Sequence, residues 1–183
     1  MDKSGAKLTI SPQGWVEEAK HIPSPNADAR TDGQTIDLVV IHNISLPPGS
    51  FGGNGVIDLF TNQLDPTAHP YYATIHTLKV SAHFLIRRDG TLIQFVACGQ
   101  RAWHAGVSSW QGRERCNDFS IGIELEGDDF TPFEDAQYVT LNRLLSALRQ
   151  HYPITGITGH ADIAPGRKTD PGPHFDWARI TAS

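Results

Sequence analysis

The stretch Leu38-Val39-Val40-Ile41-His42 is a continuous aliphatic run that ends on an ionisable side chain. Such a run is typical of a central strand that is covered on both faces of a sheet. We predict a strand over 35–42, in which alternation places Leu38, Val40 and His42 on one face. The histidine then emerges at the strand end, on a face that must stay open.

A second informative stretch is Gly159-His160-Ala161-Asp162-Ile163-Ala164-Pro165-Gly166-Arg167-Lys168-Thr169-Asp170-Pro171-Gly172. It contains too much Pro and Gly for a helix or a paired strand, so it predicts a loop. Loops held on a rigid scaffold often carry catalytic groups, and this one carries a histidine, a lysine and a carboxylate.

Two imidazoles and a carboxylate form a typical ligand set for a catalytic zinc ion, which leaves a fourth position for water or substrate. We therefore consider His42, His160 and Asp170 candidate metal ligands. Spacing alone leaves a simpler interpretation open, because no compact motif such as His-Glu-x-x-His is present. Each histidine is then a hydrogen-bonded residue at a sheet edge, and Asp170 is a turn former before Pro171.

The remaining pattern alternates strands and helices around one tight hairpin, which predicts an α/β (α+β) fold with a central mixed sheet flanked by helices. A strand over 120–126 places Glu124 and Glu126 on one face, and the residues alone do not decide which acid is functional. A helix over 132–151 is predicted to begin with Thr131 as N-cap and Glu134 in a capping box. The other predicted elements are an irregular arm over 1–35, a loop over 43–55, a short helix over 56–63, an irregular stretch over 65–72, a hairpin of strands 82–86 and 91–96, a polar loop region over 101–118, a strand over 154–158 and a terminal helix over 175–181.

Composition narrows the classes of partner. The 183 residues fit one domain, and a net charge of −5 argues against a nucleic-acid or anionic-membrane binder. The chain contains no apolar segment of signal-peptide or membrane-span length, so we predict a cytoplasmic protein with no obligate protein partner. Cys98 and Cys116 are predicted to be free thiols. His83, inside a predicted strand, is expected to be a hydrogen-bonded core residue.

Five segments together resemble the zinc N-acetylmuramoyl-L-alanine amidases, and within that family the cytosolic branch that acts on 1,6-anhydro-muropeptides during cell-wall recycling. They are Val40 to Gly49, Ser81 to Gly90, Arg101 to Gly106, Ile121 to Gly127 and Gly159 to Gly172. The resemblance runs from about residue 14 to 180, which makes 14–183 a single zinc amidase domain after a variable arm over 1–13. It implies a fold like that of peptidoglycan-recognition proteins and phage T7 lysozyme.

The resemblance also implies roles for individual residues. His42, His160 and Asp170 would hold one Zn²⁺, Glu124 would be the general base, and Lys168 would stabilise the oxyanion. The implied substrate is a small soluble muropeptide, cleaved between (1,6-anhydro-)N-acetylmuramic acid and L-alanine. The residues expected to contact substrate are Tyr71, Asn43, Arg115, Trp103, His104 and Ala105.

Three alternatives remain at this stage. A non-catalytic muropeptide-binding module would share the fold, a zinc peptidase would cut plain peptides, and a lytic amidase would act on intact cell wall. The joint presence of all five metal and catalytic residues argues against the first.

Overall fold

The computed structural model describes residues 5–181. In chain order its strands are β1 (Lys20–His21), β2 (Ala27–Ala29), β3 (Leu38–Ile44), β4 (Phe84–Ile86), β5 (Leu92–Gln94), β6 (Gln100–Ala102), β7 (Ser109–Trp110), β8 (Arg113–Glu114), β9 (Ser120–Glu126) and β10 (Gly156–Gly159). The α-helices are α1 (Gly55–Phe60), α2 (Pro70–Ile75), α3 (Asp135–His151) and α4 (His160–Ile163), and two 3₁₀ turns span Cys116–Asp118 and Trp177–Arg179.

A six-stranded mixed sheet in the order β1-β5-β4-β9-β3-β10 forms the centre, which confirms the predicted fold class. Strand β3 pairs in parallel with both β9 and β10, and β4 pairs in parallel with β9. Within this sheet the hairpin pair β4–β5 is antiparallel, and the short pairs β2–β6 and β7–β8 outside it are antiparallel as well. Because the carboxyl ends of β3, β9 and β10 point to the same edge, side chains that follow these strands meet there.

The two faces of the sheet pack against different layers. Val39 and Ile41 of β3 belong to a core that includes the leucines of α3, whereas Leu38 and Val40 face a smaller cluster with Cys116. The alternation predicted for β3 is therefore confirmed. His42 continues the second set, so it leaves the strand on the face opposite α3.

Helix α3 begins later than predicted. Its N-cap is Glu134, not Thr131, and the backbone N–H of Glu134 donates to the side chain of Gln137. The physical reason is a turn upstream, in which Asp128 Oδ1 accepts the N–H groups of Phe130 and Thr131. Thr131, the predicted N-cap, therefore belongs to this turn and not to the helix.

Several other boundaries were wrong. The arm predicted to be irregular contains β1 and β2, and Leu8 and Val16 within it are buried in the core; residues 1–4 of that arm lie outside the described residues, as do 182–183 at the other terminus. The stretch over 65–72 includes the start of α2, because the His69 side chain caps Tyr71 N–H and Pro70 suits the first turn. The polar loop region contains the short strands β6, β7 and β8.

Three further elements differ in length or position. Helix α1 ends at Phe60, since Asn62 adopts a left-handed conformation and Gln63 N–H donates back to Asp58 O. Strand β10 lies at Gly156–Gly159, slightly later than predicted. The terminal helix is only a 3₁₀ turn, in which the Asp176 side chain accepts from Ala178 N–H. None of these differences moves the strand ends that carry the site.

Two of the remaining expectations are confirmed. Cys98 and Cys116 are free and buried. His83 is fully buried and hydrogen-bonded, with Nδ1 accepting from Gly122 N–H and Nε2 lying 2.9 Å from Gln100 O. Within residues 5–181, no helix combines the length and the apolar character that a membrane crossing requires.

Candidate metal centre and active site

Three predicted ligands converge at the carboxyl edge of the sheet. His42 lies near the end of β3, His160 directly follows β10, and Asp170 lies on the loop beyond α4. His42 Nδ1 is 3.0 Å from His160 Nδ1 and 2.9 Å from Asp170 Oδ2, and His160 Nδ1 is 3.3 Å from the same oxygen. The tertiary structure thus brings together ligands that are 118 and 128 residues apart in sequence.

The spacing and the chemistry of this cluster fit a zinc ion. Two nitrogen or oxygen ligands of a tetrahedral zinc lie roughly 3.3 Å from each other, close to the three distances observed. His160 Nε2 lies 3.0 Å from the carbonyl oxygen of Ala105, which can only accept, so Nε2 carries a hydrogen and Nδ1 is the nitrogen available to a metal. His160 Nδ1 then presents a lone pair toward the carboxylate of Asp170, an arrangement that a cation stabilises.

Electrostatics favour the ligand forms of these side chains. Burial lowers the pKa of His42 despite the opposing influence of Asp170. Burial alone would raise the pKa of Asp170, but the neighbouring His160 and His42 rings favour its ionised form and lower that pKa below its ordinary range. Neutral imidazoles and an ionised carboxylate are the states that bind a metal.

Glu124 stands beside this cluster. It is the register partner of His42 across the β3–β9 pair, and its Oε1 lies 4.0 Å from His42 Nδ1. Glu124 is buried, and its Oε2 has no hydrogen-bond partner among the described residues. Burial, reinforced by the charge of Asp170, raises its pKa well above the usual value, while Lys168 opposes that shift. A buried carboxylate with a free oxygen at a metal site is suited to proton transfer.

Glu126 has a different environment, although it shares the face of Glu124. Its carboxylate accepts from Gly52 N–H at 2.9 Å, Arg87 Nη1 at 3.0 Å and Arg88 N–H at 3.1 Å. These contacts tie Gly52, in the segment over 43–55, and the β4–β5 hairpin turn to the sheet. The structure therefore separates two acids that the sequence pattern left equivalent.

A cleft of about 470 Å³ opens over the cluster. It is lined by His42, Glu124, His160 and Asp170, and also by Lys168, Tyr71, Asn43, Trp103 and His104. Lys168 is exposed on the loop that carries Asp170, and Tyr71 is exposed on α2. The predicted ligands, the predicted base and five further predicted site residues therefore border one cleft.

Some predicted substrate contacts have other partners. Asn43 Nδ2 donates to Asp129 Oδ1 at 2.7 Å and to Pro171 O at 3.0 Å, so this amide holds the Asp170 loop against β3. Ala105 does not line the cleft, since it is completely buried and directs its carbonyl at His160. This corrects the expectation for Ala105.

Arg115 lies outside this cleft. It borders a neighbouring pocket of about 670 Å³, and its largely exposed side chain is 3.5 Å from Asp118 Oδ2. Arg167 borders both pockets, so a peptide that leaves the metal site could extend toward Arg115. The role of Arg115 as a contact for substrate remains a prediction.

Two residues near the site were missed by the sequence reasoning. Asp129 bridges Asn43 and Thr169, and Asn117 Oδ1 accepts the N–H groups of His104 and Ala105. Both occur among polar neighbours in irregular segments, where a sequence alone gives no signal for a long-range contact. The only available hint was that Asp129 follows the strand that bears Glu124.

Comparison with known proteins agrees with this geometry. The family model for N-acetylmuramoyl-L-alanine amidase matches residues 32–173. The 1,6-anhydro-N-acetylmuramyl-L-alanine amidase AmpD of Escherichia coli (strain K12) is 60% identical over 170 residues, which are 92% of this chain and 93% of that protein.

Solved structures give the same result. A crystal structure of a selenomethionine derivative of AmpD has a TM-score of 0.91 at 59% identity, covering 94% of this chain and 97% of that chain. The amidase AmiD from E. coli, in complex with the substrate anhydro-N-acetylmuramic acid-L-Ala-D-gamma-Glu-L-Lys, has a TM-score of 0.59 at 30% identity, covering 94% of this chain and 64% of that chain. With its fold, its ligand cluster and its sequence in agreement, the chain belongs to the N-acetylmuramoyl-L-alanine amidase family.

Proposed function

We propose that this chain is a zinc-dependent amidase that hydrolyses the amide between (1,6-anhydro-)N-acetylmuramic acid and L-alanine in small soluble muropeptides. The observation that carries the proposal is the convergence of His42, His160 and Asp170 beside the unpartnered Oε2 of Glu124. Membership of the amidase family supports the reaction. The high identity to AmpD, over nearly the whole of both chains, supports the 1,6-anhydro substrate.

His42, His160 and Asp170 would hold the ion. Zinc, when bound, polarises a carbonyl group and lowers the pKa of water in contact with it toward about 7. The protein residues then have to orient the amide, accept a proton and return it to the leaving nitrogen.

Glu124 is placed to move that proton. Its buried Oε2 makes no hydrogen bond to any described residue, so its capacity to accept a proton is not used by the protein itself. Because burial raises its pKa, the protonated carboxyl group is stable enough to donate to the leaving amine. The free amine departs with the L-alanyl peptide, and the lactyl carboxylate stays with the sugar.

Lys168 supplies the positive charge for the carbonyl oxygen as negative charge develops on it. It lies on the cleft wall, two residues before Asp170, and a fixed cation in such a position lowers the barrier more than it strengthens ground-state binding. Tyr71 and Trp103 present aromatic surfaces in the same cleft, where they would contact the sugar or the first peptide residues.

The proposed place of action is the cytoplasm, on fragments released from the cell wall. The resemblance to the cytosolic recycling branch supports this assignment. A lytic amidase would instead release peptide from intact sacculi, so equal rates on sacculi and on soluble fragments would argue against recycling.

The experiment that tests the function is the release of L-alanyl peptide from a purified 1,6-anhydro-muropeptide. Cleavage should stop when a chelator removes zinc and return when zinc is added. Plain peptides that begin with L-alanine should remain intact, which distinguishes an amidase from a zinc peptidase. No cleavage by the zinc-loaded protein would contradict the proposal and favour a binding module.

A further inference from the structure

The dipeptide His104–Ala105 lies directly behind both histidine ligands. His42 Nε2, the ring nitrogen that faces away from the ligand cluster, is 2.9 Å from His104 Nδ1. His160 Nε2, in the same position on the other ring, is 3.0 Å from Ala105 O. Adjacent residues therefore contact the outer nitrogen of each imidazole, one through its side chain and the other through its backbone.

The backbone of this dipeptide is fixed by its own hydrogen bonds. Asn117 Oδ1 accepts from His104 N–H at 3.1 Å and from Ala105 N–H at 2.8 Å. Arg167 Nη2 donates to Ala105 O at 2.7 Å. With both N–H groups and the carbonyl engaged, the Ala105 carbonyl and the backbone that carries the His104 ring are held in place.

Strand β9 is shaped to receive the His104 ring. A Cβ on Gly122 would lie only 2.5–2.7 Å from three atoms of that ring, so any other residue at 122 would push the ring away. No positive backbone φ explains this glycine. The requirement comes from the imidazole that packs flat on the strand.

The outer nitrogen of His104 is also engaged. His104 Nε2 lies 3.0 Å from Ser120 Oγ, and the Ser120 carbonyl accepts from the half-buried Arg30 guanidinium at 2.8 Å. The Ser120 hydroxyl is able to accept from His104 Nε2–H, and in that tautomer His104 Nδ1 is an acceptor for His42 Nε2–H. His42 Nδ1 then presents a lone pair to the ligand cluster, which is the form that binds a metal.

We propose that His104 and Ala105 are positioning residues for the metal centre, which select the Nε2–H tautomer of His42 and His160 and fix the direction of both rings. This inference rests on the proposed metal site. It gives Ala105 a role other than the expected substrate contact, and it adds a second role for His104, which also borders the cleft. Outer partners of metal-bound histidines typically contribute 10–100-fold in metal affinity.

The test compares His104→Leu with His104→Asn. Asparagine carries an oxygen on the same branch of its side chain as Nδ1 of histidine, so it retains an acceptor for His42 Nε2–H, whereas leucine fills the space without one. Zinc dissociation constants are measured by competition with a chromophoric chelator, starting from metal-free protein. We expect His104→Leu to bind zinc about 10–100-fold more weakly and His104→Asn to remain near the unaltered protein. The matched control is His151→Leu, the same exchange at an exposed position on α3.

A second readout does not depend on affinity. Long-range ¹H–¹⁵N spectra of the zinc-loaded protein report which ring nitrogen carries hydrogen, and exchange of that hydrogen with water reports its hydrogen bond. The His42 Nε2–H should exchange slowly in the unaltered protein and in His104→Asn, and much faster in His104→Leu. Should His104→Leu fail to fold, the spectrum of the unaltered protein still decides, since Nδ1–H on zinc-loaded His42 would overturn the assignment.

Two outcomes would refute the inference while the proposed amidase stands. One is zinc affinity unchanged in His104→Leu, and the other is an equal loss in His104→Leu and His104→Asn, which would indicate a general packing role. Because neither readout uses muropeptide, failure of the amidase assay and failure of this inference are recorded separately.

Discussion

Replacing Glu124 with glutamine isolates proton transfer from every other property of the site. Glutamine has nearly the same volume, so the substitution creates no cavity. Glu124 Oε1 is 4.0 Å from His42 Nδ1, longer than a hydrogen bond, and Oε2 has no partner among residues 5–181. The ligand cluster therefore loses no contact, and we expect zinc affinity to stay unchanged.

The expected loss is in the chemical step. A positioned general base contributes about 10²–10⁴-fold, which corresponds to about 2.7–5.4 kcal/mol of barrier at 1.36 kcal/mol per tenfold. We predict that kcat for the 1,6-anhydro-muropeptide falls by this factor while KM changes little. Steady-state kinetics with zinc-loaded protein measures both quantities, and normal turnover by Glu124→Gln would refute the assignment of the base.

Stability provides an independent check on the burial of Glu124. A carboxyl group whose pKa is raised in the folded state ionises at a cost that the unfolded chain does not bear. That cost is absent below the unfolded pKa, about 4.3, and appears as pH rises through the folded value. Metal-free Glu124→Gln should therefore be more stable than the unaltered protein at neutral pH and equal to it at acidic pH, as measured by denaturant unfolding.

The matched control is Glu126→Gln, two residues along the same strand. It weakens a charge-assisted bond to Arg87 and turns an amide N–H₂ toward donors, at a cost of about 1.5–3 kcal/mol in the free energy of unfolding. Turnover per folded molecule should remain near normal. A reversal, with Glu126→Gln inactive and Glu124→Gln active, would show that the two acids have been assigned the wrong way round.

Three further predictions concern the cleft and the core. Lys168→Ala should lower kcat by about 10²–10³-fold without changing zinc affinity, because it removes the cation near the developing oxyanion; a normal kcat would contradict that role. Asp129→Ala removes the acceptor shared by Asn43 and Thr169, so unfolding in denaturant should show a loss of about 1–3 kcal/mol and chelator competition a weaker zinc site, whereas unchanged values would mean that the loop is held by other contacts. Burial, with the charge of a nearby arginine, lowers the pKa of His83 to about 3, below its unfolded value of 6.5. As pH falls between those values the unfolded chain holds one more proton, so the free energy of unfolding decreases by about 1.4 kcal/mol per pH unit. The slope in a metal-free His83→Gln variant should be smaller by that amount, and equal slopes would show that His83 is not the group responsible.

Elements with strong local signals were predicted well. The aliphatic run at 38–41 and the alternating run at 120–126 each specify a strand, because burial of a strand depends on a period that the sequence displays directly. The Asp89-Gly90 turn marked the hairpin for the same reason, and Gly90 indeed has a φ of 84°. The leucines at helical spacing on one face of α3 predicted most of that helix correctly.

Errors gathered where a distant contact competes with a local preference. Thr131 and Pro132 form a good helix start in isolation, but Asp128 binds the backbone of that segment and moves the start to Glu134. Strands β1 and β2 are too short to have a pattern of their own. They form because β5 and β6 offer open edges for pairing.

The sequence by itself indicated the family, through five segments that resemble it. It also indicated the mixed sheet and the candidate ligands, which depend on local periodicity and on residue types. Only the tertiary structure decided which atoms meet. It placed His42, Glu124 and His160 at one edge through parallel pairing of strands far apart in the chain, and it separated Glu124 from Glu126 by giving one an open oxygen and the other three donors. It also placed His104 and Ala105 behind the two histidine ligands, because hydrogen-bond partners depend on position in space, a property that no run of neighbouring residues records.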